Sequence, residues 1–400
     1  MKKNILFIHH GGSLGGAPLS MLGFAKTLKE KQYSVTIIFT NKGPILDLAE
    51  SMGMKCKVVS LNAPFFIGAH VPFKLKMFAS FLLYLFLDII KTIKILVKYR
   101  PEIVYLNTSV LISVAIGARL CSKYIIWHIR EAPVDSIILR KLQIKIINFL
   151  SDKRILTSNY IKQYYPSCIN THVVYNTIEE EQYINIPSAV REGIRSELNI
   201  GLDKTVLVML GNVQDIKGHF LFAQAAENII KNLPNVRIII AGKQSDKYYK
   251  SSLKGRIKAL FNIPFDDCHK MQLYINSLGL SEYFIFTGWR NDIASLLYAS
   301  DLLLFLPQKP EGFGRPLIEA MASGLPIITT NIGPSKEICT DKCARFIPAD
   351  NKNAIEKEII SLINDHRLRK TMGTEGKNRY FNIFSNKKLN PKLMEIVNDI

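Results

Sequence analysis

Paired cysteines are missing from this sequence. The six cysteines, at positions 56, 121, 168, 268, 339 and 343, include no CxxC spacing. Cys339 and Cys343 stand close together, but no neighbouring His or Cys pair completes a zinc site. This scatter reads as reduced thiols in a cytosolic protein. Acid is also scarce: 33 Asp and Glu against 52 Lys and Arg leave a net charge of +19. A finger, a basic zipper or an aromatic RNA-binding motif is not found, so nucleic acid is not the expected partner. The charge is spread along the chain, which fits an anionic membrane surface. Apolar runs long enough to cross a bilayer are absent too. The opening run Asn4–Ile8 stops at His9, His10 and glycines, too soon for a signal peptide, and reads as a buried strand. Phe73–Lys91 is strongly apolar with basic ends, but Asp88 and the flanking lysines interrupt it. An interfacial helix and a buried crossover helix both fit that pattern.

What is present is a repeated α/β grammar. The 400 residues, 48% hydrophobic, suit two domains rather than one core. Short β-branched runs alternate with glycine turns and longer helical patterns. In the first half, Asn4–His9, Ser34–Thr40, Lys55–Ser60, Ile103–Leu106, Tyr124–His128 and Arg154–Thr157 read as strands. In the second, Thr205–Leu210, Val236–Ala241, Tyr283–Thr287, Leu302–Phe305 and Pro326–Thr330 do the same. Short apolar strands of this kind form parallel sheets covered on both faces. The expectation is two doubly wound, Rossmann-like domains facing a cleft: residues 1–180, a linker at 181–200, residues 201–374, and a helical segment 375–400 that packs back on the first domain. Ligands of such sheets bind beyond the carboxyl ends of the strands.

The turns at those ends carry the chemistry. Gly11-Gly12-Ser13-Leu14-Gly15-Gly16 follows the first strand. It lacks the G-x-G-x-x-G spacing, and Ala17-Pro18 stands where a P-loop needs Lys and Ser/Thr. Its glycines still permit close approach of a ligand to helix-starting amides; a plain tight turn is the other reading. The densest signal is Glu311-Gly312-Phe313-Gly314-Arg315-Pro316-Leu317-Ile318-Glu319. Gly312 and Gly314 make a loop, and Pro316 suits the first turn of a helix whose amides and dipole favour a diphosphate. Glu319 can accept hydrogen bonds from the vicinal hydroxyls of a ribose, and Glu311 from a sugar.

The Glu311–Glu319 segment resembles the E-x7-E signature of retaining glycosyltransferases of GT-B architecture, family 4 (group 1). The resemblance implies that Glu311 contacts the donor sugar, Glu319 the nucleotide ribose, and the Gly312, Phe313 and Gly314 backbone the sugar and diphosphate. Arg315 holds a position that varies in the family. Gly211-Asn212-Val213-Gln214-Asp215-Ile216-Lys217-Gly218 is similar to the family's diphosphate-binding loop. Lys217 matches it, whereas Asn212 replaces the usual arginine and donates hydrogen bonds without charge. Gly288-Trp289-Arg290 looks like the segment bordering the base, with Arg290 on the donor side. Ile126-Trp127-His128-Ile129-Arg130-Glu131 looks like the active-site histidine segment. Val174-Tyr175-Asn176-Thr177 resembles the turn that ends the first domain. Gly15 and Gly16 fall on the donor side, and Ser13, Asn107, Arg130 and Glu131 on the acceptor side.

Implied, then, is a hexosyltransferase that uses a nucleotide diphosphate sugar, a UDP-sugar rather than a GDP-sugar, with retention and without metal or other cofactor. Glu311, His128 and Lys217 are its expected catalytic residues. The charge and the apolar helix point to a lipid-linked or cell-envelope saccharide acceptor, such as a polysaccharide, capsule or lipopolysaccharide unit. They also point to a peripheral place at the inner face of the cytoplasmic membrane. The competing readings are a GT-B-like nucleotide-sugar epimerase, a sugar phosphorylase (for which no pyridoxal-lysine motif is found), and a non-catalytic donor-binding subunit, which Asn212 alone favours.

Overall fold

A computed structural model describes residues 3–61, 75–165, 170–242 and 266–400, without the side chains of 75–78. The chain divides into two compact units. The first comprises Met1–Ile178, Glu311–Phe313 and Phe384–Ile400; the second comprises Glu179–Pro310 and Gly314–Ile383.

The first unit is built on seven parallel strands: β1 (Asn4–His9), β2 (Ser34–Phe39), β3 (Lys55–Val58), β4 (Ile103–Leu106), β5 (Tyr124–Ile129), β6 (Lys153–Leu156) and β7 (Thr171–Val173). Their order is β3-β2-β1-β4-β5-β6-β7. Successive side chains of a strand point to opposite faces, and β1 shows the result. Ile5 and Phe7 enter one apolar core, with Met21, Leu22 and Phe24 of the helix Gly16–Glu30. Leu6 and Ile8 enter the other, with Phe81, Ile95 and Leu96 of the helix Leu75–Tyr99 and Ile147 of the helix Ile137–Leu150. Leu389, Leu393, Ile396 and Val397 of the last helix, Asn386–Asn398, complete the first core.

The second unit has six parallel strands: β8 (Thr205–Leu210), β9 (Val236–Ala241), β10 (Phe284–Gly288), β11 (Leu302–Phe305), β12 (Ile327–Thr330) and β13 (Ala344–Ile347), in the order β10-β9-β8-β11-β12-β13. The stretch expected as a linker at 181–200 is folded into it. Its helix Ser188–Glu197 buries Arg195 completely. The guanidinium bonds both Asp301, at 2.8 Å, and the Ala299 carbonyl, at 3.0 Å. Arg191 holds the other Asp301 oxygen at 2.7 Å. A buried cation persists only with such pairing, so these arginines dock the segment on the turn into β11.

Every expected strand is present, with ends that shift by a residue or two. Two sheet-edge strands went unpredicted, β7 and β13. Thr171–Val173 is only three residues long and half-buried, and Ala344–Ile347 is interrupted by Arg345, so neither shows an unbroken run of apolar residues. The helix over the apolar segment resolves as amphipathic. Phe81, Asp88, Thr92 and Leu96 are buried, whereas Leu82, Leu83, Phe86 and Leu87 stand in solvent. It is thus a crossover helix and also carries an uncovered apolar face. No described helix is long and apolar enough to cross a membrane.

Candidate active site

Where the strand order reverses, two adjacent strands send their following loops in opposite directions and leave a crevice at their carboxyl ends. In the second unit that point lies between β8 and β11. The loops after these two strands are the two that the sequence singles out, 211–218 and 306–314. They touch directly: Gln308 N–H donates to the Ile216 carbonyl at 2.7 Å. Gly218 lies so near Leu306 that a Cβ would sit 2.0 Å from its carbonyl oxygen. Lys217 folds back over the end of β8, its Nζ 3.3 Å from where a Gly211 Cβ would stand. Asn212 is exposed on the same loop.

The helix Arg315–Ser323 begins beside these loops, with Gly314 as its cap in the left-handed conformation (φ 96°). Glu319 is its fifth residue and nearly buried, at 7% exposure. Arg315 Nε donates to Glu319 Oε1 at 2.6 Å. One turn of helix places Arg315 on Glu319, as expected for charges four residues apart. Its Nη1 is buried without a hydrogen-bond partner. Arg290 is likewise occupied, gripped by Glu197 at 2.6 and 3.1 Å and by Asp292 at 2.8 and 2.5 Å. Those hydrogen bonds push its pKa up. Arg290 therefore fixes the loop after β10 against the helix Ser188–Glu197.

Glu311, Gly312 and Phe313 belong to the first unit. Thr157 and Ser158, after β6, donate to the Gly312 carbonyl at 3.0 and 3.1 Å. A Cβ on Gly312 would lie 2.0 Å from the Arg130 carbonyl oxygen, so only glycine fits. The Phe313 ring is buried against Tyr175 and Phe384. Glu311 is half-buried.

The first unit has its own reversal point, between β1 and β4. Gly12 serves the fold there: its Cβ would meet the Lys42 carbonyl oxygen at 2.4 Å. Gly15 is open, with only Pro18 Cδ near, at 3.9 Å, and it precedes the helix Gly16–Glu30. Ser13 is exposed and Gly16 is the first residue of that helix. Behind them the ends of β1, β4 and β5 converge on one buried polar network. Arg130 Nε donates to Asn107 Oδ1 at 2.7 Å, and its Nη1 donates to Asn176 Oδ1. Asn107 Nδ2 meets His9 Nδ1 at 3.1 Å. Tyr105 Oη lies 2.5 Å from His128 Nδ1, while His128 Nε2 is buried with no partner. Glu131 turns its carboxylate back to accept the Ser109 and Arg130 amides at 3.0 and 3.1 Å, shaping the loop. Burial first, then the charge of Arg130, holds His128 well below the ordinary histidine pKa; His9 is lowered by burial, then His10, then Arg130. Both imidazoles are neutral at pH 7. Among the described residues no group of three or more His, Cys, Asp or Glu is spaced to hold a metal ion.

The site residues that sequence reasoning missed are Tyr105, His9, Thr157 and Ser158. Tyr105 had a signal, a phenol within the otherwise aliphatic strand Ile103–Leu106. Thr157 and Ser158 had none, since their role rests on a backbone carbonyl 154 and 155 residues away.

Residues 190–379 match the family model described as glycosyl transferases group 1. A UDP-Gal:alpha-D-GlcNAc-diphosphoundecaprenol alpha-1,3-galactosyltransferase of Escherichia coli is 27% identical over 60% of this chain and 57% of its own. An N-acetyl-alpha-D-glucosaminyl L-malate synthase of Bacillus anthracis is 24% identical over 57% of this chain and 53% of its own. The chain thus spans little more than half the length of these curated relatives. In architecture, the Anabaena protein HepE, solved with UDP and glucose, superposes with a TM-score of 0.79 at 18% identity, covering 100% of both chains. With two parallel sheets of seven and six strands the protein has the GT-B architecture, and its residues 190–379 are similar to the group 1 glycosyl transferases.

Proposed function

We propose that the protein transfers a hexose-type sugar, with retention of anomeric configuration, from a nucleotide diphosphate donor to a hydroxyl of a saccharide acceptor. One observation carries this reading: the reversal point of the second sheet gathers Lys217, the glycine-capped helix start at Gly314 and the buried carboxylate of Glu319. A departing diphosphate gains negative charge as the sugar leaves. Fixed donors aimed at that charge lower the barrier more than donors aimed at the ground state. Lys217 supplies a cation, the helix start supplies amides and a dipole, and Glu319 Oε2 is left to accept from ribose while Arg315 holds Oε1. Glu311 is assigned to the sugar. The departing phosphate takes the acceptor proton on the same face. No metal or other cofactor takes part in this reading.

UDP is the favoured nucleotide: the E. coli relative is named for a UDP-sugar and HepE is solved with UDP. The acceptor proposed is lipid-linked. In support, the helix Leu75–Tyr99 has an exposed apolar face, and the helix Ile137–Leu150, which packs on the same neighbour Ile112–Leu120, also exposes Ile138, Leu142 and Phe149. Lys94, Lys98, Lys141 and Lys145 lie on the same two helices, all four of them exposed. Apolar residues beside cations are what an anionic interface attracts, so the enzyme would work at the inner face of the cytoplasmic membrane.

The test is turnover. Incubation with a panel of UDP- and GDP-sugars and a polyprenyl diphosphate-linked saccharide should release nucleotide and yield a product with the donor's anomeric configuration by NMR. Binding of UDP-sugars with no transfer to any acceptor would point instead to a non-catalytic donor-binding subunit. Interconversion of free UDP-sugars would point to an epimerase.

A further inference from the structure

The loop after β11 is stiffened by its own sequence, Leu306-Pro307-Gln308-Lys309-Pro310. Each proline fixes its own φ and holds the residue before it in extended backbone. Side chains then tie this stiff piece to its neighbours. Thr330, at the end of β12, donates its hydroxyl to the Pro307 carbonyl at 2.6 Å. Gln308 is half-buried and uses both ends of its amide. Its Nε2 donates to the Leu306 carbonyl, two residues back, at 2.7 Å. Its Oε1 accepts the backbone N–H of Asp350, in the turn after β13, at 2.8 Å. A side-chain amide engaged at both its donor and its acceptor end has its plane fixed, and with it the backbone that carries it.

That backbone faces the loop that carries Lys217. Gln308 N–H donates to the Ile216 carbonyl at 2.7 Å. Ile216 is the middle residue of a single 3-10 turn, Asp215–Lys217. Two bonds hold the turn from within, Lys217 N–H to the Gln214 carbonyl at 3.1 Å and Gly218 N–H to the Asp215 carbonyl at 2.9 Å. So short a turn does not hold itself in place. The Gln308 amide and the packing of Gly218 on Leu306 fix where it sits. All of these residues belong to the second unit.

We propose that Gln308 is a positioning residue for diphosphate binding: its side chain locks the loop 306–310, whose Gln308 N–H in turn holds the turn that presents Lys217. Gln308 acts through Lys217 and does not itself touch the ligand. The inference rests on the transferase reading for the identity of the ligand, and on geometry alone for the clamp. A cation already held in place meets a diphosphate without first being ordered, whereas a loosened one loses part of its binding energy to that ordering.

Two measurements test this on the full-length protein. Gln308→Met keeps the length of the side chain and removes both of its hydrogen bonds. In the ligand-free protein, hydrogen exchange at the Gln308, Lys217 and Gly218 amides should quicken about tenfold or more in this variant, while the amides within β8 keep their rates. Unchanged rates at those three amides overturn the clamp, and so does a rise that β8 shares equally, which marks general loosening. The second measurement is a double-mutant cycle on UDP affinity, read by calorimetry. Gln308→Met should weaken UDP about tenfold in the wild-type background and less than about twofold in Lys217→Ala, because the two residues act as one unit. Equal losses in both backgrounds would overturn the action through Lys217. A wild-type protein that binds no UDP sinks the transferase reading, and the exchange rates still decide the clamp. UDP binding with unchanged exchange in Gln308→Met leaves that reading standing and removes the clamp alone.

Discussion

At the scale of single residues, the glycines of the first loop divide by what surrounds them. Gly12 is packed against the turn at Lys42, its Cβ position 2.4 Å from a backbone oxygen, whereas Gly15 faces open space. Gly12→Ala must displace backbone and should cost about 1–3 kcal/mol by the overpacking scale. Gly15→Ala should leave the denaturation midpoint unchanged, and if that amide meets a ligand it should weaken UDP-sugar binding. Urea melts of both variants check the pair; equal midpoints would show that the Gly12 contact can relax freely. Sequence spacing marked these six residues as a unit and could not assign them separate duties, because the duties depend on a turn 30 residues away. The same limit applies to Arg315 and Arg290. A cation in a glycine loop invites an anionic ligand, and both here are matched by carboxylates that the fold delivers.

At the scale of elements, much was legible because a doubly wound sheet writes itself as alternating periods. The strands at the centre of each sheet are unbroken apolar runs, and the turns at their carboxyl ends are where glycine and charge collect. The edge strands Thr171–Val173 and Ala344–Ile347 were not legible, since a short strand with one covered side has no such run. For the apolar helix, the sequence posed burial and membrane contact as alternatives. A long helix has room for both: Asp88 is buried and Thr92 packs on Gly117, 2.9 Å from where a Cβ would stand, while Leu83 and Phe86 are 69% and 68% exposed. Replacing Leu83, Phe86, Ile138 and Phe149 by Gln should therefore leave the melting temperature within a degree or two and reduce co-sedimentation with vesicles of anionic phospholipid several-fold. The reasoning is that about 1 kcal/mol or more of transfer energy is lost per buried apolar side chain. Unchanged sedimentation would remove the membrane from the account.

At the scale of the whole molecule, buried histidines tie stability to pH. His9, His128 and His219 are each held below the ordinary pKa by burial as the first cause, with His219 brought to about 4. The unfolded chain binds protons at these sites from pH 6.5 downward, while the folded chain refuses them. Stability is therefore full above pH 6.5 and falls as the pH drops through the window toward 4. For His219 alone, the lowering to about 4 corresponds to roughly 3 kcal/mol across that window. Thermal melts from pH 7.5 to 4.5 should show a falling midpoint that begins near 6.5, above the range where carboxylates titrate. A flat profile down to pH 5 would contradict the neutral buried imidazoles. This coupling was invisible in the sequence, where eight histidines look alike.

The central claim is that the β8–β11 reversal point holds a nucleoside diphosphate through Lys217 and Glu319. Calorimetric titration with UDP measures it directly on the wild type, Lys217→Ala and Glu319→Gln. Binding in the wild type, weakened about tenfold or more in each variant without loss of fold, is the predicted result. UDP that binds all three proteins equally, or none of them, would contradict it.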